Sequence, residues 1–201
     1  MDAATLQHQI VTETIAQSGF DPHRRYLQMS AISRCPRALY FLMIDGPETP
    51  LPSFALLFYV GNLFERDLLG RLADLNLINP NSQQIEITAR FDPRFKGHAD
   101  AVLLDGILLE VKKTTQYQLD AIMASHRVKR THFEQVQMYL THGHFDKAIV
   151  LYCASDTGAL FALDVHPVLS VINRLNDKAR GVLTAVDQQQ PPPCLCSHCL
   201  K

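Results

Sequence analysis

The chain has 201 residues, a length that suits one domain with room for a small appendage, and its 47% apolar content is ordinary for a globular protein. Its 19 Lys and Arg stand against 20 Asp and Glu, a formal net charge of −1, so no global charge excess argues for nucleic acid and such a partner must rest on local basic clusters. Charges break the longest apolar runs, which excludes a membrane span. The start, Met1-Asp2-Ala3, lacks the basic and apolar regions of an export signal, and the expectation is a cytoplasmic protein.

Thr5 to Ser18 carries helical periodicity through Leu6, Ile10 and Ile15, and Gly19 ends it. Ser33 reads as an N-cap with Pro36 in the first turn, opening a helix to about Ile44 that stops at Gly46. A Pro-rich loop, Pro47 to Pro52, leads to a long helix from Ser53 to about Leu77. Its apolar face runs Leu57, Gly61, Phe64, Leu68, Leu72, Leu75. Gly61 costs helix stability, so close packing of a neighbouring backbone is expected there. Gln84 to Arg90 alternates as a strand, and Asp92-Pro93 makes a turn.

Gly97 to Lys112 reads as two apolar strands joined at Asp105-Gly106. Asp100, Glu110 and Lys112 sit in this apolar ribbon, and charges on a mostly buried strand are costly unless paired or metal-bound. A two-residue turn would point Asp100 away from Glu110. A three-residue loop, Leu104-Asp105-Gly106 with Gly106 left-handed, pairs Leu103 with Ile107 and sets Asp100 opposite Glu110, and this loop is the expectation. Two carboxylates and an ammonium then make a site for a divalent cation and a nearby water.

Helices follow near Gln118 to Ser125 and Lys129 to His142, the second ended by Gly143. Lys147 to Ala154 and Ala159 to Val165 are strands around the turn Asp156-Thr157-Gly158. Pro167 opens a last helix to about Val186, and Gln188 to Pro193 is an extended linker. The order predicts an α/β domain with a small mixed sheet flanked by helices.

The five cysteines are Cys35, Cys153, Cys194, Cys196 and Cys199. An odd count without an export signal argues against a disulfide framework, and three crowding the last eight residues suggest a metal. Cys153 lies in a buried strand pattern and reads as a small core residue.

Asp100 followed by Glu110-Val111-Lys112 resembles the core motif of the PD-(D/E)XK nuclease superfamily. Gln135-Val-Gln-Met-Tyr139 matches the Gln-x-x-x-Tyr motif of its RecB-like branch. Gly61-Asn-Leu-Phe-Glu65 sits where that branch carries a glycine and a metal-binding His or Glu. By itself Glu65 would read as a solvated helix carboxylate. The resemblance implies a restriction-endonuclease-like core over residues 53–165 of a single nuclease domain spanning 1–201. It implies Mg²⁺ or Mn²⁺ on Asp100, Glu110, the Val111 carbonyl and Glu65, with Lys112 orienting the attacking water. Gln135 and Tyr139, one helical turn apart, would contact the nucleic acid backbone or a base. The run from His126 to His132, with Arg127, Lys129 and Arg130, precedes Gln135; by itself it reads as a solvated face, and beside a nuclease cleft it would make a phosphate track, with Lys113, Arg94 and Lys96 as additions.

Cys35 near the N-terminus with Cys194, Cys196 and Cys199 resembles the four-cysteine branch of RecB-like exonucleases, which includes CRISPR adaptation nucleases and the AddB nuclease domain. The resemblance implies a 4Fe-4S cluster joining residues 30–46 to 188–201, with zinc, on four cysteines or on three with His198, as the rival. It implies action on single-stranded DNA or DNA ends, 5′ to 3′, with endonuclease activity in some members. The setting would be CRISPR spacer acquisition, repair or recombination, or phage DNA processing. Integrase or helicase subunits and a homo-oligomer are the candidate assemblies. The alternative is a catalytically weak nucleic-acid-binding subunit, active only within a larger complex.

Overall fold

Pro36 sits at the first position of helix α1 (Pro36–Ile44), where its missing N–H does no harm, and the cap is Cys35, in extended backbone. In this computed structural model, which describes residues 23–48 and 52–194 together with positions 2, 5, 6, 9, 10, 12–14 and 21, Ser33 is not the cap. A 3₁₀ turn at Met29–Ala31, extended by the Arg34 N–H donating to the Ala31 carbonyl (2.9 Å), carries the chain past it. Of the expected first helix, positions 5, 6, 9, 10 and 12–14 are helical, and Ile15 to Ser18 lie outside the described residues.

Helix α2 (Pro52–Asp74) ends short of Leu77 because Asn76 takes a left-handed φ of 56°. Asn76 N–H donates to the Ala73 carbonyl (2.9 Å) and Leu77 N–H to that of Leu72 (2.9 Å), the paired bonds of a Schellman stop with Asn in place of Gly. Gly61 in this helix makes no close packing among the described residues: a Cβ built there meets none of them within 4 Å.

The strands are β1 (Leu27–Gln28), β2 (Ile78–Thr88), β3 (Phe95–Leu103), β4 (Leu108–Thr114), β5 (Ala148–Ala154) and β6 (Leu160–Val165). Between β4 and β5 lie α3 (Gln116–Ser125, capped by the Thr115 side chain) and α4 (Arg130–Gly143), and α5 (Leu169–Asp187) closes the chain. Among the described residues they form one mixed six-stranded sheet, ordered β1-β3-β4-β5-β6 with β2 on the other edge of β3. This architecture is the mixed sheet flanked by helices expected from the sequence. β4 and β5 run parallel over seven residue pairs, and the α3–α4 crossover covers the sheet between them.

β2 begins six residues earlier than its alternating pattern predicts, through a register shift between Ile78 and Gln83 that leaves Gln84 with φ 51°. Leu108, Val150 and Tyr152 face a large core shared with α1, α4 and α5. Leu109 and Val111, one step along, face a smaller core under α2 with Leu69 and Ala101. Cys153 is buried in its strand, as expected. No helix among the described residues is long and apolar enough to cross a membrane.

Candidate active site

The hairpin closes as the spacing predicts. Leu103 N–H donates to the Ile107 carbonyl and Gly106 N–H to that of Leu103, both at 2.9 Å, with Gly106 at φ 84°. Val102 pairs with Leu108 and Ala101 with Leu109, and there the β3–β4 ladder stops. Gln28 and Thr88 both pair with Lys96, so they lie on opposite edges of β3, and β1 shares with β4 the edge away from β2. Between these partners the edge from Gly97 to Asp100 has no strand against it among the described residues. Ala99 belongs to the larger core and Ala101 to the smaller, although a regular strand would keep them on one face. β3 therefore turns over at Asp100. A side chain replaces one missing ladder bond, Val111 N–H donating to Asp100 Oδ2 at 2.6 Å, and the Tyr139 hydroxyl lies beside the His98 backbone. The Val111 carbonyl shares the edge of its own N–H and points into the same gap.

Four charged groups converge there. Glu110 is 1% exposed and Asp100 7%. Glu110 Oε1 accepts from Lys112 Nζ (2.5 Å) and from Gln135 Nε2 (2.6 Å), whereas Glu110 Oε2 is buried with no partner among the described residues. Glu65 reaches in from α2, its Oε1 accepting from Gln84 Nε2 (2.5 Å), and a carboxyl–carboxyl contact joins it to Asp100. Burial and then the charge of Glu110 push Asp100 well above the usual carboxylate range, and they raise Glu65 as well. Burial raises Glu110, against the pull of Lys112. Burial opposes the charge on Lys112, but Glu110, Asp100 and Glu65 together hold it above the usual lysine value. Two buried acids and a half-buried third thus face one ammonium.

The structure brings Glu65, Asp100, Glu110, Val111, Lys112, Gln135 and Tyr139 together. The Gln135–Tyr139 pair is turned inward, however. Gln135 Nε2 bridges Glu110 and Tyr139 Oη (2.9 Å), and the Tyr139 ring lies so close to Gly97 that a Cβ there would stand 2.8 Å from its Cε1. The basic residues are dispersed. Arg127 is exposed between α3 and α4, Lys129 Nζ donates to Gln118 Oε1 (2.6 Å), and Arg130 pairs with Glu134 (3.1 Å). Lys113 is on the opposite face of β4 from Lys112. Arg94 is engaged by Asp92 and Asp187, and Lys96 by Glu86 and the Tyr26 ring, so neither offers a free charge to a phosphate.

One residue at the site, Gln84, escapes sequence reasoning, and His132 is legible in the sequence only as the end of the basic run before Gln135. Gln84 has no motif, and only its bulge aims it at Glu65. His132, one turn before Gln135, hydrogen-bonds through Nδ1 to Tyr152 Oη (3.0 Å), which also accepts from Lys129 N–H (3.1 Å). Burial, then the charges of Lys112 and Lys129, push this imidazole down to about 3.

Among the described residues no three His, Cys, Asp or Glu side chains stand in ready metal-ligand geometry, and Lys112 and the Val111 N–H each engage one oxygen of Glu110 and Asp100. The donor set nevertheless fits a hard divalent cation. It is all oxygen, it holds more buried acid than one lysine balances, and it leaves the buried Glu110 Oε2 unsatisfied.

At the chain ends, Arg37 Nη1 donates to the Pro192 carbonyl (3.1 Å), holding the linker against the first turn of α1, which Cys35 caps. Cys35 and Cys194 are both half-buried. Cys196, His198 and Cys199 lie outside the described residues.

No family model matches the sequence, and no curated protein matches it. Solved structures do share its fold. The structure of LHK-Exo in complex with dAMP is 11% identical, with a TM-score of 0.66, covering 89% of this chain and 93% of that one. SSO0001 is 16% identical, with a TM-score of 0.59, covering 92% and 88%. The alkaline exonuclease LHK-Exo from Laribacter hongkongensis, in a second structure, is 12% identical, with a TM-score of 0.55, covering 89% and 93%. The chain therefore has the PD-(D/E)XK nuclease-like fold. This likeness carries no argument for the iron–sulfur branch.

Proposed function

We propose that the protein is a divalent-metal-dependent nuclease that hydrolyses phosphodiester bonds in DNA. The observation that carries the reading is the convergence of Glu65, Asp100 and Glu110 on Lys112 at a break in the sheet, with Glu110 Oε2 left unpartnered. Asp100, Glu110 and the Val111 carbonyl, with Glu65 completing the set, would hold Mg²⁺ or Mn²⁺, which when bound acidifies water and offsets phosphate charge. Lys112 orients that water and adds positive charge beside the attacked phosphate. Gln135 holds the Glu110 carboxylate in place, and Tyr139 backs Gln135.

The finer reading is an exonuclease acting 5′ to 3′ on single-stranded DNA or DNA ends, with endonuclease activity as a side reaction. Support for an exonuclease comes from the shared fold with LHK-Exo, an alkaline exonuclease whose structure was solved with dAMP. The reading extends to a cytoplasmic role in CRISPR spacer acquisition, repair or phage DNA processing, beside integrase or helicase subunits or as a homo-oligomer. Cys35, Cys194, Cys196 and Cys199 are assigned to a 4Fe-4S cluster, with zinc as rival. The Arg37–Pro192 contact supports it by drawing the chain ends together. Anaerobic protein should be brown with iron and sulfide; colourless protein with stoichiometric zinc would reverse the assignment.

Wild type, Asp100→Ala and Lys112→Ala should be compared on end-labelled single- and double-stranded oligonucleotides with Mg²⁺, Mn²⁺ or EDTA. Cleavage by wild type alone, abolished by EDTA, is expected; equal cleavage by all three would overturn the reading. A binding-only subunit is the second reading, favoured by the hold of Lys112 on Glu110, and it predicts DNA binding without cleavage.

A further inference from the structure

We infer that His132 is a substrate-contacting residue: its Nε2–H, held outward as a fixed neutral donor, hydrogen-bonds a phosphate oxygen of the DNA beside Lys112. The inference rests on the nuclease reading for the identity of the ligand, and on the following geometry for the rest.

The Tyr152 side chain is fully buried, and its hydroxyl has two recorded neighbours among the described residues, Lys129 N–H and His132 Nδ1. The amide donates, so the oxygen accepts there. The hydroxyl proton then has one acceptor within reach, His132 Nδ1, and a buried O–H left without an acceptor would be costly. Nδ1 therefore accepts, and the imidazole carries its proton on Nε2. Burial, then the charges of the neighbouring lysines, hold the imidazole well below its ordinary value, so the ring is neutral near pH 7.

Nε2 makes no hydrogen bond among the described residues, yet it is not among the buried atoms lacking partners, so it reaches solvent. The ring stands at the cleft for two reasons. Tyr152, which anchors it, is the strand partner of Lys112, and His132 shares a helix face with Gln135, which holds Glu110. The result is a donor with fixed tautomer and no charge next to the site's ammonium. A protonated imidazole there would be repelled by Lys112. A neutral one can serve the same phosphate without that penalty.

The two amide replacements separate the two ends of the ring. His132→Asn keeps a polar group at the Nδ1 end, facing Tyr152, and empties the Nε2 end. His132→Gln places an amide donor at the Nε2 end. Binding of a fluorescent oligonucleotide, followed by anisotropy in EDTA, should weaken about 10- to 100-fold in His132→Asn, the loss of one hydrogen bond to a charged group. His132→Gln should recover most of it, with melting temperatures of the two variants alike. In the cleavage assay the same loss should fall on KM rather than kcat.

Equal affinity of His132→Asn and wild type, or a His132→Gln no better than His132→Asn, would overturn the inference. If Lys112→Ala abolishes cleavage while His132→Asn matches wild type, the inference fails alone. If wild type cleaves nothing but binds DNA in a His132-dependent way, the nuclease reading fails and this one stands. Wild type that binds no oligonucleotide overturns both.

Discussion

Asp100→Asn isolates the charge of the site from its architecture. The amide oxygen still accepts the Val111 N–H, so the break in the sheet keeps its bond, while one of three acids facing Lys112 is removed. In the folded protein Glu65, Asp100 and Glu110 all titrate above their ordinary values. Without a divalent ion the folded state therefore binds protons more tightly than the unfolded chain. The stability these groups contribute is full below the ordinary carboxylate pKa of about 4 and is lost as pH rises through the raised values. At pH 8 in EDTA the wild type should thus melt below Asp100→Asn. A gain of about 0.5–2 kcal/mol, the size common for a single stabilising substitution, is expected. For a chain of this length each kcal/mol is about 2–4 °C, so the variant should melt about 1–8 °C higher, and the two should converge at pH 4. Mn²⁺ at a hundred times its Kd should raise the wild type by about 2.7 kcal/mol, or about 5–11 °C, and the variant much less. Circular-dichroism melts at two pH values, with EDTA or Mn²⁺, decide the matter. A variant that melts lower than wild type at pH 8 in EDTA, or an equal Mn²⁺ gain in both, would refute this account of the buried charge.

Gln135→Leu removes two hydrogen bonds, one to a carboxylate, and should lower stability by about 2–4 kcal/mol in urea unfolding, besides abolishing cleavage. Gly97→Ala drives a methyl against the Tyr139 ring and should cost about 1–3 kcal/mol, read as a lower melting temperature. Arg94→Ala should leave oligonucleotide affinity unchanged, because Asp92 and Asp187 already hold that guanidinium; stability should move by about 0–1 kcal/mol.

The hairpin was readable because its loop length and Gly106 admit one register that brings Asp100 to Glu110. Buried charges in an apolar ribbon then pointed to chemistry. The long helices were readable from periodicity, but not their ends. Ser33 has the chemistry of a cap yet is bypassed by a 3₁₀ turn, and Asn76 performs the stop usually marked by Gly. β1 is two residues long, too short to carry a pattern, although it divides the edge of β3 with β4. Gln84 lacks a local signal, since it depends on a bulge, and His132 shows in the sequence only as the end of a basic run, its orientation depending on a tyrosine twenty residues away. The basic residues misled in part, because a sequence shows charge but not the carboxylates that fold against it.

The interrupted edge of β3 assigns different jobs to residues that a motif lumps together. Tyr139 packs against that open edge at Gly97, with Gln135 fastening it, whereas Lys112 and Glu65 serve the carboxylate cluster. A descendant of this chain that lost its chemistry would shed the lysine and the helical glutamate first and keep the glutamine and tyrosine for as long as it folded. In distant sequences, survival of Gln-x-x-x-Tyr is therefore a marker of the opened sheet, and retention of the lysine is the better sign of a working enzyme.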